Sequence, residues 1–242
     1  MSASLLIMLP FVTLAGFLLG GLIELTALRL PSGEPFLVRS SCPGCGADRP
    51  RWSWFLPRRC SSCRAVPRTQ LTVQLLTAAT LALVWLRFFA DALDVFRVSL
   101  FVLLLFLIAR IDWAHHLIYL VTIVPTLIFT LLLALVTSLR TFLLAVTGMT
   151  SAAAVFAVFY GLGWLLYRRA ALGSGDILLA ALIGAMVGVM RVLPTLLLGM
   201  VLAALAATYL LALRRAGRMT YLPYGTFLAA GTVVGLLLWG PA

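Results

Sequence analysis

The chain has 242 residues, 63% of them hydrophobic, and a mean hydropathy of +1.13. A soluble domain is usually about 45–50% apolar, so a water-soluble globule is excluded as the class. The net charge of +11 comes from 18 basic residues, all arginine. They sit mostly at the ends of apolar runs, where topology and anionic lipid headgroups account for them. The basic loops carry no recognised nucleic-acid module, so membrane lipids are the expected partners of this charge and nucleic acid is not.

A run of roughly 18 or more apolar residues reads as a membrane span. In lipid the backbone must satisfy its own polar groups, so such spans are helices. The alternation of a β-barrel strand is absent. In chain order, about eight spans are predicted: 4–28, 71–90, 95–113, 117–137, 141–167, 174–191, 193–213 and 222–240. The first has no positive region before it, and Arg29 follows it, which favours a retained span with its N-terminus outside. That polarity puts 14 arginines on the inside and 4 on the outside, as the positive-inside rule demands. The predicted fold class is an all-α polytopic membrane protein. Its parts are a first transmembrane helix over 1–28, a cytoplasmic insert over 29–70 and a seven-helix membrane region over 71–242.

The insert is too short to build an apolar core of its own, and units of that size usually need a metal or disulfides. All four cysteines lie in it, as Cys42-Pro-Gly-Cys45 and Cys60-Ser-Ser-Cys63. Two C-x-x-C knuckles match zinc-ribbon spacing, each presenting two thiolates to one tetrahedral ion, with Gly44 and Gly46 permitting the turn. Two disulfides or four free thiols are the alternatives, and a reducing cytoplasm disfavours the first. With four protein ligands the zinc would be structural.

Of seven acidic residues, Glu24, Asp112 and Asp176 fall in or at the membrane. An ionisable group at that depth costs roughly 2.5–3.5 kcal/mol on insertion scales and marks a functional site by default. Asp112 ends the third span and Asp176 starts the sixth, so the topology brings both to the inside face although they are 64 residues apart. Two neighbouring carboxyls share a proton around a water, which is the arrangement that hydrolyses peptide bonds. Gly173 and Gly175 before Asp176 permit a helix break and close approach of substrate backbone. The competing reading makes both aspartates interfacial, Asp112 paired with Arg110 and Asp176 with Arg168 or Arg169. His115 and His116 follow Asp112 by one turn and read chiefly as span-end residues. Glu24 reads as the partner of Gln74 or of an insert arginine.

At these residues the chain resembles the prepilin peptidase (type IV leader peptidase) family of GxGD aspartic proteases. Gly20-Gly21-Leu-Ile-Glu24 with Arg29-Leu-Pro31 is similar to that family's first-span ending. The two knuckles are similar to its zinc-binding insert, with Trp52-Ser-Trp54-Phe-Leu-Pro57 between them. Asp112 with Leu117-Ile118 fits its first catalytic motif and Gly173-Ser-Gly175-Asp176 its second. Pro223-Tyr-Gly225 resembles its closing Pro-Phe-Gly-Pro.

The resemblance implies an intramembrane aspartic endopeptidase with Asp112 and Asp176 as catalytic pair and with Gly173, Gly175, Pro223 and Gly225 in the active-site loops. It also implies structural zinc on Cys42, Cys45, Cys60 and Cys63. The partners it implies are the basic leaders of type IV prepilins or pseudopilins, cut at the cytoplasmic face of a bacterial inner membrane. Many members then methylate the new N-terminus with S-adenosylmethionine. The departures are Leu178 for a lysine, Ala114 and Leu120 for aspartates, Glu24 for an asparagine and Gln74 for a glutamate. They spare both aspartates and bear on methyl transfer and on the substrate. The alternative function is a catalytically silent membrane assembly protein that binds pilin-like helices.

Overall fold

The computed structural model describes residues 3–31, 33, 40–42, 45–168, 173–213 and 222–242. Among them are eight α-helices: α1 Ala3–Arg29, α2 Arg68–Phe88, α3 Ala92–His115, α4 Leu120–Thr137, α5 Leu139–Tyr167, α6 Ser174–Val187, α7 Val189–Ala212 and α8 Tyr224–Trp239. The all-helical membrane class is borne out. Six helices are long and apolar enough to cross a membrane, namely α1–α5 and α7.

The other two differ from expectation. At 1.5 Å per residue, α6 and α8 are about 21 and 24 Å long, short of a roughly 30 Å hydrocarbon layer. The predicted sixth span ran on to residue 191. Gly188, with φ +75, ends α6 instead, and α7 begins at the next residue. α6 does not depend on lipid for its surroundings. It packs against α4, α5, α7 and α8, and every residue from Leu179 to Val187 is buried, the pattern of a helix apolar all round and enclosed by protein.

The chain divides into two compact units, Met1–Arg110 and Ile111–Ala242, with α3 passing from one to the other. In the first, α1 packs on α2 through Gly16 and Gly20. A Cβ on Gly20 would lie 2.6 Å from the Gln74 Cα, so Gly16-x-x-x-Gly20 is a close-approach surface of small residues. A 3₁₀ turn, Arg51–Trp54, lies over the same groove. The Trp54 carbonyl sits where a Gly21 side chain would be. Gln70 Nε2 donates to the Ser53 and Trp54 carbonyls at 2.9 and 2.7 Å, and Gln74 Nε2 to the Phe55 carbonyl at 2.9 Å. Two buried glutamines thus supply the donors that irregular backbone needs beside membrane helices.

Among the described residues Glu24 pairs neither with Gln74 nor with an insert arginine. It accepts from Arg110 Nε at 2.6 Å and Nη2 at 2.8 Å. In the second unit, Gly184 of α6 meets Gly148 of α5, and Gly188, four residues on, makes the helix break. Arg191 donates to the Gly240 and Pro241 carbonyls at 3.0 and 2.7 Å, closing the C-terminal end of α8.

Candidate active site and candidate metal centre

Asp112 lies in the last turn of α3. That helix stops because His116 takes a left-handed conformation, φ +51, and its N–H closes on the Asp112 carbonyl at 2.8 Å. The Asp112 side chain reaches the start of α8. Pro223, its φ held at −70 by the ring, precedes the first helical residue and has no side chain able to cap it. Asp112 Oδ2 does so instead. It accepts the Thr226 N–H at 2.7 Å and the Thr226 hydroxyl at 3.1 Å. A Cβ on Gly225 would stand 3.1 Å from the same oxygen, so residue 225 has no room for a side chain.

Asp176 is the third residue of α6. Its Oδ2 accepts the Gly173 N–H at 3.0 Å, one half of a capping box. Glycine has no side chain to return the bond. Gly175 packs its bare face on Ile118, whose Cβ would lie 2.8 Å from any Cβ placed there. Ile118 also comes within 3.3 Å of the Cβ position of Gly225, so one side chain touches both glycine turns. Tyr224, at the start of α8, packs against Phe156 with ring centroids 6.5 Å apart and lies within electrostatic reach of Asp176. Both carboxylates are buried, at 5% and 9% exposure, and each meets the N-terminal turn of a helix, where partial positive charge favours an anion.

The predicted residues of this unit therefore gather as two clusters joined through Ile118: Asp112 with Pro223 and Gly225, and Asp176 with Gly173 and Gly175. The competing salt-bridge reading fails for Asp112, because Arg110 is committed to Glu24. Arg168 is the exposed residue that ends α5, and no ion pair joins it to Asp176 among the described residues. Arg169 lies outside them. His116 is exposed, and His115 Nε2 is buried without a hydrogen-bond partner. Beside Asp112 opens a cavity of about 420 Å³ lined by Trp113, His116, Tyr209, Leu222, Pro223 and Phe227 among others. Sequence reasoning missed Thr226 and the joining role of Ile118. The signal for Thr226 was its place three residues after Pro223, in a helix first turn that lacks a cap.

The two cysteine knuckles are near copies of one another. In the first, Cys42 N–H donates to the Ala47 carbonyl at 2.9 Å and Gly46 N–H to the Cys42 carbonyl at 2.8 Å. In the second, Cys60 donates to Ala65 and Arg64 to Cys60, both at 3.0 Å. A two-residue antiparallel ladder, β1 Ser40–Ser41 with β2 Asp48–Arg49, flanks the first knuckle. Gly46 takes φ +72, as its turn role predicted. Its counterpart is Arg64 at φ +56.

All four Sγ atoms lie within 4.8 Å of one another, and the Cys42–Cys63 and Cys45–Cys60 pairs are 3.6 Å apart. Tetrahedral zinc with Zn–S near 2.3 Å requires sulfur edges of about 3.8 Å, so this donor set fits one ion. Those sulfur separations are far longer than the roughly 2.05 Å of a disulfide bond, so the disulfide alternative does not describe this structure. N–H groups of Cys63 and Ser62 draw the Cys60 thiol down to about 6. The Ala47 N–H acts the same way on Cys45, but the thiols of Cys63 and Cys60 outweigh it and raise that group to about 12. A bound ion would displace the remaining protons.

The described residues thus form a helical membrane bundle with two buried aspartates at helix N-termini, one of them in a GxGD turn. Residues 99–208, which hold both aspartates, match the model of the type IV leader peptidase family. Over 219 residues the chain is 28% identical to the prepilin leader peptidase/N-methyltransferase of Myxococcus xanthus (strain DK1622). That match takes in 87% of this chain and 65% of the relative, a little under two thirds of its length. The resemblance read from the sequence holds. No solved structure matches.

Proposed function

We propose that this protein is an aspartic endopeptidase that removes the basic leader of type IV prepilin or pseudopilin-like substrates. Its place would be a bacterial inner membrane, with the N-terminus outside and the four-cysteine insert in the cytoplasm. The observation that supports it best is that Asp112 and Asp176 are both buried and that one side chain, Ile118, packs on the glycine turn beside each of them, while Arg110 is held by Glu24.

The chemistry such a pair supports is general acid–base hydrolysis. One carboxylate takes a proton from water as its oxygen adds to the scissile carbonyl carbon. The other carboxyl gives its proton to the carbonyl oxygen, forming a gem-diol. The first then passes its proton to the amide nitrogen, the C–N bond breaks, and a diol proton returns to the second. One water is consumed, and an acid and an amine are formed. Burial excludes bulk water from both carboxyls, and a helix N-terminus favours the charge of the ionised one. The cavity beside Asp112 would receive an apolar residue next to the cut. Zinc on Cys42, Cys45, Cys60 and Cys63 would hold the insert folded and take no part in hydrolysis.

S-adenosylmethionine does not fit the two positions where this chain departs from the resembled pattern in its first unit. Glu24 is occupied by Arg110. Gln74 gives its amide to backbone carbonyls, and packing fills the Gly20–Gly21 face. The proposal therefore ends at hydrolysis.

The alternative is a silent membrane protein that holds pilin-like helices. The cap that each aspartate makes on a helix favours it, since capping alone would account for both side chains. One experiment separates the two. Purified protein is given a peptide with a basic leader and an apolar helix. Cleavage by the wild type, lost in Asp112→Asn and in Asp176→Asn proteins that remain folded, supports the peptidase. Binding without cleavage supports the alternative.

A further inference from the structure

The two aspartates differ in what donates to them. Asp112 Oδ2 receives an amide at 2.7 Å and a hydroxyl at 3.1 Å from one residue, Thr226, with the Gly225 N–H beside it. Asp176 Oδ2 receives a single amide, that of Gly173, at 3.0 Å. Donors of this kind bind the charged form of a carboxyl more strongly than the neutral form. Their number matters most where water is excluded, and both groups are buried. Thr226 also completes α8. The helix has no cap from its own N-cap residue, so the Asp112 charge is the one that satisfies its first turn. Releasing that charge would cost the helix as well as the carboxylate.

We propose that Thr226 is the positioning residue that holds Asp112 as the ionised member of the pair, which makes Asp112 the base toward water and Asp176 the proton donor. This rests on the peptidase reading above and assigns the roles within it. Both Thr226 bonds fall on Oδ2, so Oδ1 is the oxygen that takes the proton from water. The Thr226 amide also fixes the carboxylate plane relative to α8. Thr226 touches Asp112 and not the reacting atoms, so its removal should slow the chemical step and leave substrate binding unchanged.

The test uses the full chain in lipid nanodiscs and three substitutions. Thr226→Ser retains both donors, Thr226→Val loses the hydroxyl, and Thr226→Pro loses both at a first-turn amide that has no partner within the helix, the ring also pushing Asp112 Oδ2 away. With a leader-bearing peptide, kcat should fall about tenfold in Thr226→Val, as for one hydrogen bond to a charged group. It should fall further in Thr226→Pro and stay within about twofold of wild type in Thr226→Ser, with KM unchanged throughout. Infrared difference spectra give a second reading that needs no activity. Asp112→Asn should remove a carboxylate band and Asp176→Asn a protonated carboxyl band, and Thr226→Pro should weaken the first. Wild-type kcat in Thr226→Val and Thr226→Pro would overturn the proposal. So would a loss that moves KM with kcat and is not spared by serine, or a protonated band at Asp112. If the wild type cleaves no leader peptide, the peptidase reading fails by itself, and the infrared bands still decide whether Thr226 holds Asp112 as a carboxylate.

Discussion

Arg110 and Glu24 form a buried bidentate ion pair, Nε to Oε2 at 2.6 Å and Nη2 to Oε1 at 2.8 Å, joining α3 to α1. Glu24 is 3% exposed. The arginine nearest in sequence to Asp112 is thereby held two residues away from it by a different acid. A buried charge pair is weak evidence of net stability, but breaking one partner strands the other. Glu24→Ala should therefore lower stability by about 3–5 kcal/mol, read as thermal unfolding in detergent. Replacing the pair together by Glu24→Leu with Arg110→Met should recover most of that loss. A single substitution without effect would show that the pair is solvated.

Gly225 is predicted to be sensitive in activity before stability. A Cβ there would lie 3.1 Å from Asp112 Oδ2 and 3.3 Å from Ile118 Cδ1. The isoleucine tip can swing aside, but the carboxylate is held by Thr226. On the peptidase reading proposed above, Gly225→Ala should cut cleavage at least tenfold, the scale on which small displacements of a catalytic group act, while the unfolding temperature moves little. Equal activity with a large fall in stability would contradict this.

The two knuckles offer a matched pair of tests. Gly46 and Arg64 hold the same left-handed position at φ +72 and +56, a conformation costing a side-chain-bearing residue roughly 1 kcal/mol. Arg64→Gly should leave metal content at one ion per chain and raise resistance to chelation. Gly46→Ala should lower it. Cys60→Ser should abolish stoichiometric zinc by metal analysis. Metal retained in full after that change would show that the four thiols are not the ligand set.

Gln74→Glu should loosen the insert. The Gln74 side chain is fully buried, and its Nε2 faces the Trp54 and Phe55 carbonyls at 3.3 and 2.9 Å. A carboxylate presents oxygen to oxygen there, at a cost of roughly 1–3 kcal/mol for the lost donor. Trypsin should then cut faster at Arg58 and Arg59, and Gln74→Glu should bind the same amount of metal as wild type. Unchanged proteolysis would mean that the 3₁₀ turn is held by Gln70 alone.

What could be read along the chain follows from short-range physics. Apolar runs of sufficient length must be helices in lipid, so α1 to α5 and α7 were legible within a few residues. Knuckle spacing encodes a tetrahedral thiol set, and the four Sγ atoms do converge. Glycines flanking an aspartate announce a tight approach, which Gly175 makes on Ile118.

The sequence by itself determined the helical membrane class, the grouping of Cys42, Cys45, Cys60 and Cys63 and the placing of two acids at helix ends, because length, spacing and hydropathy act locally. Only the tertiary structure decided who pairs with whom. Arg110 sits two residues before Asp112 and so points to the other side of α3; it takes Glu24 because packing of α1 puts that acid within 2.6 Å. Asp112 could have faced solvent, and instead caps α8, since Pro223 leaves that helix start without a cap of its own. Such choices depend on which helix ends meet, and no local pattern along 242 residues carries that information.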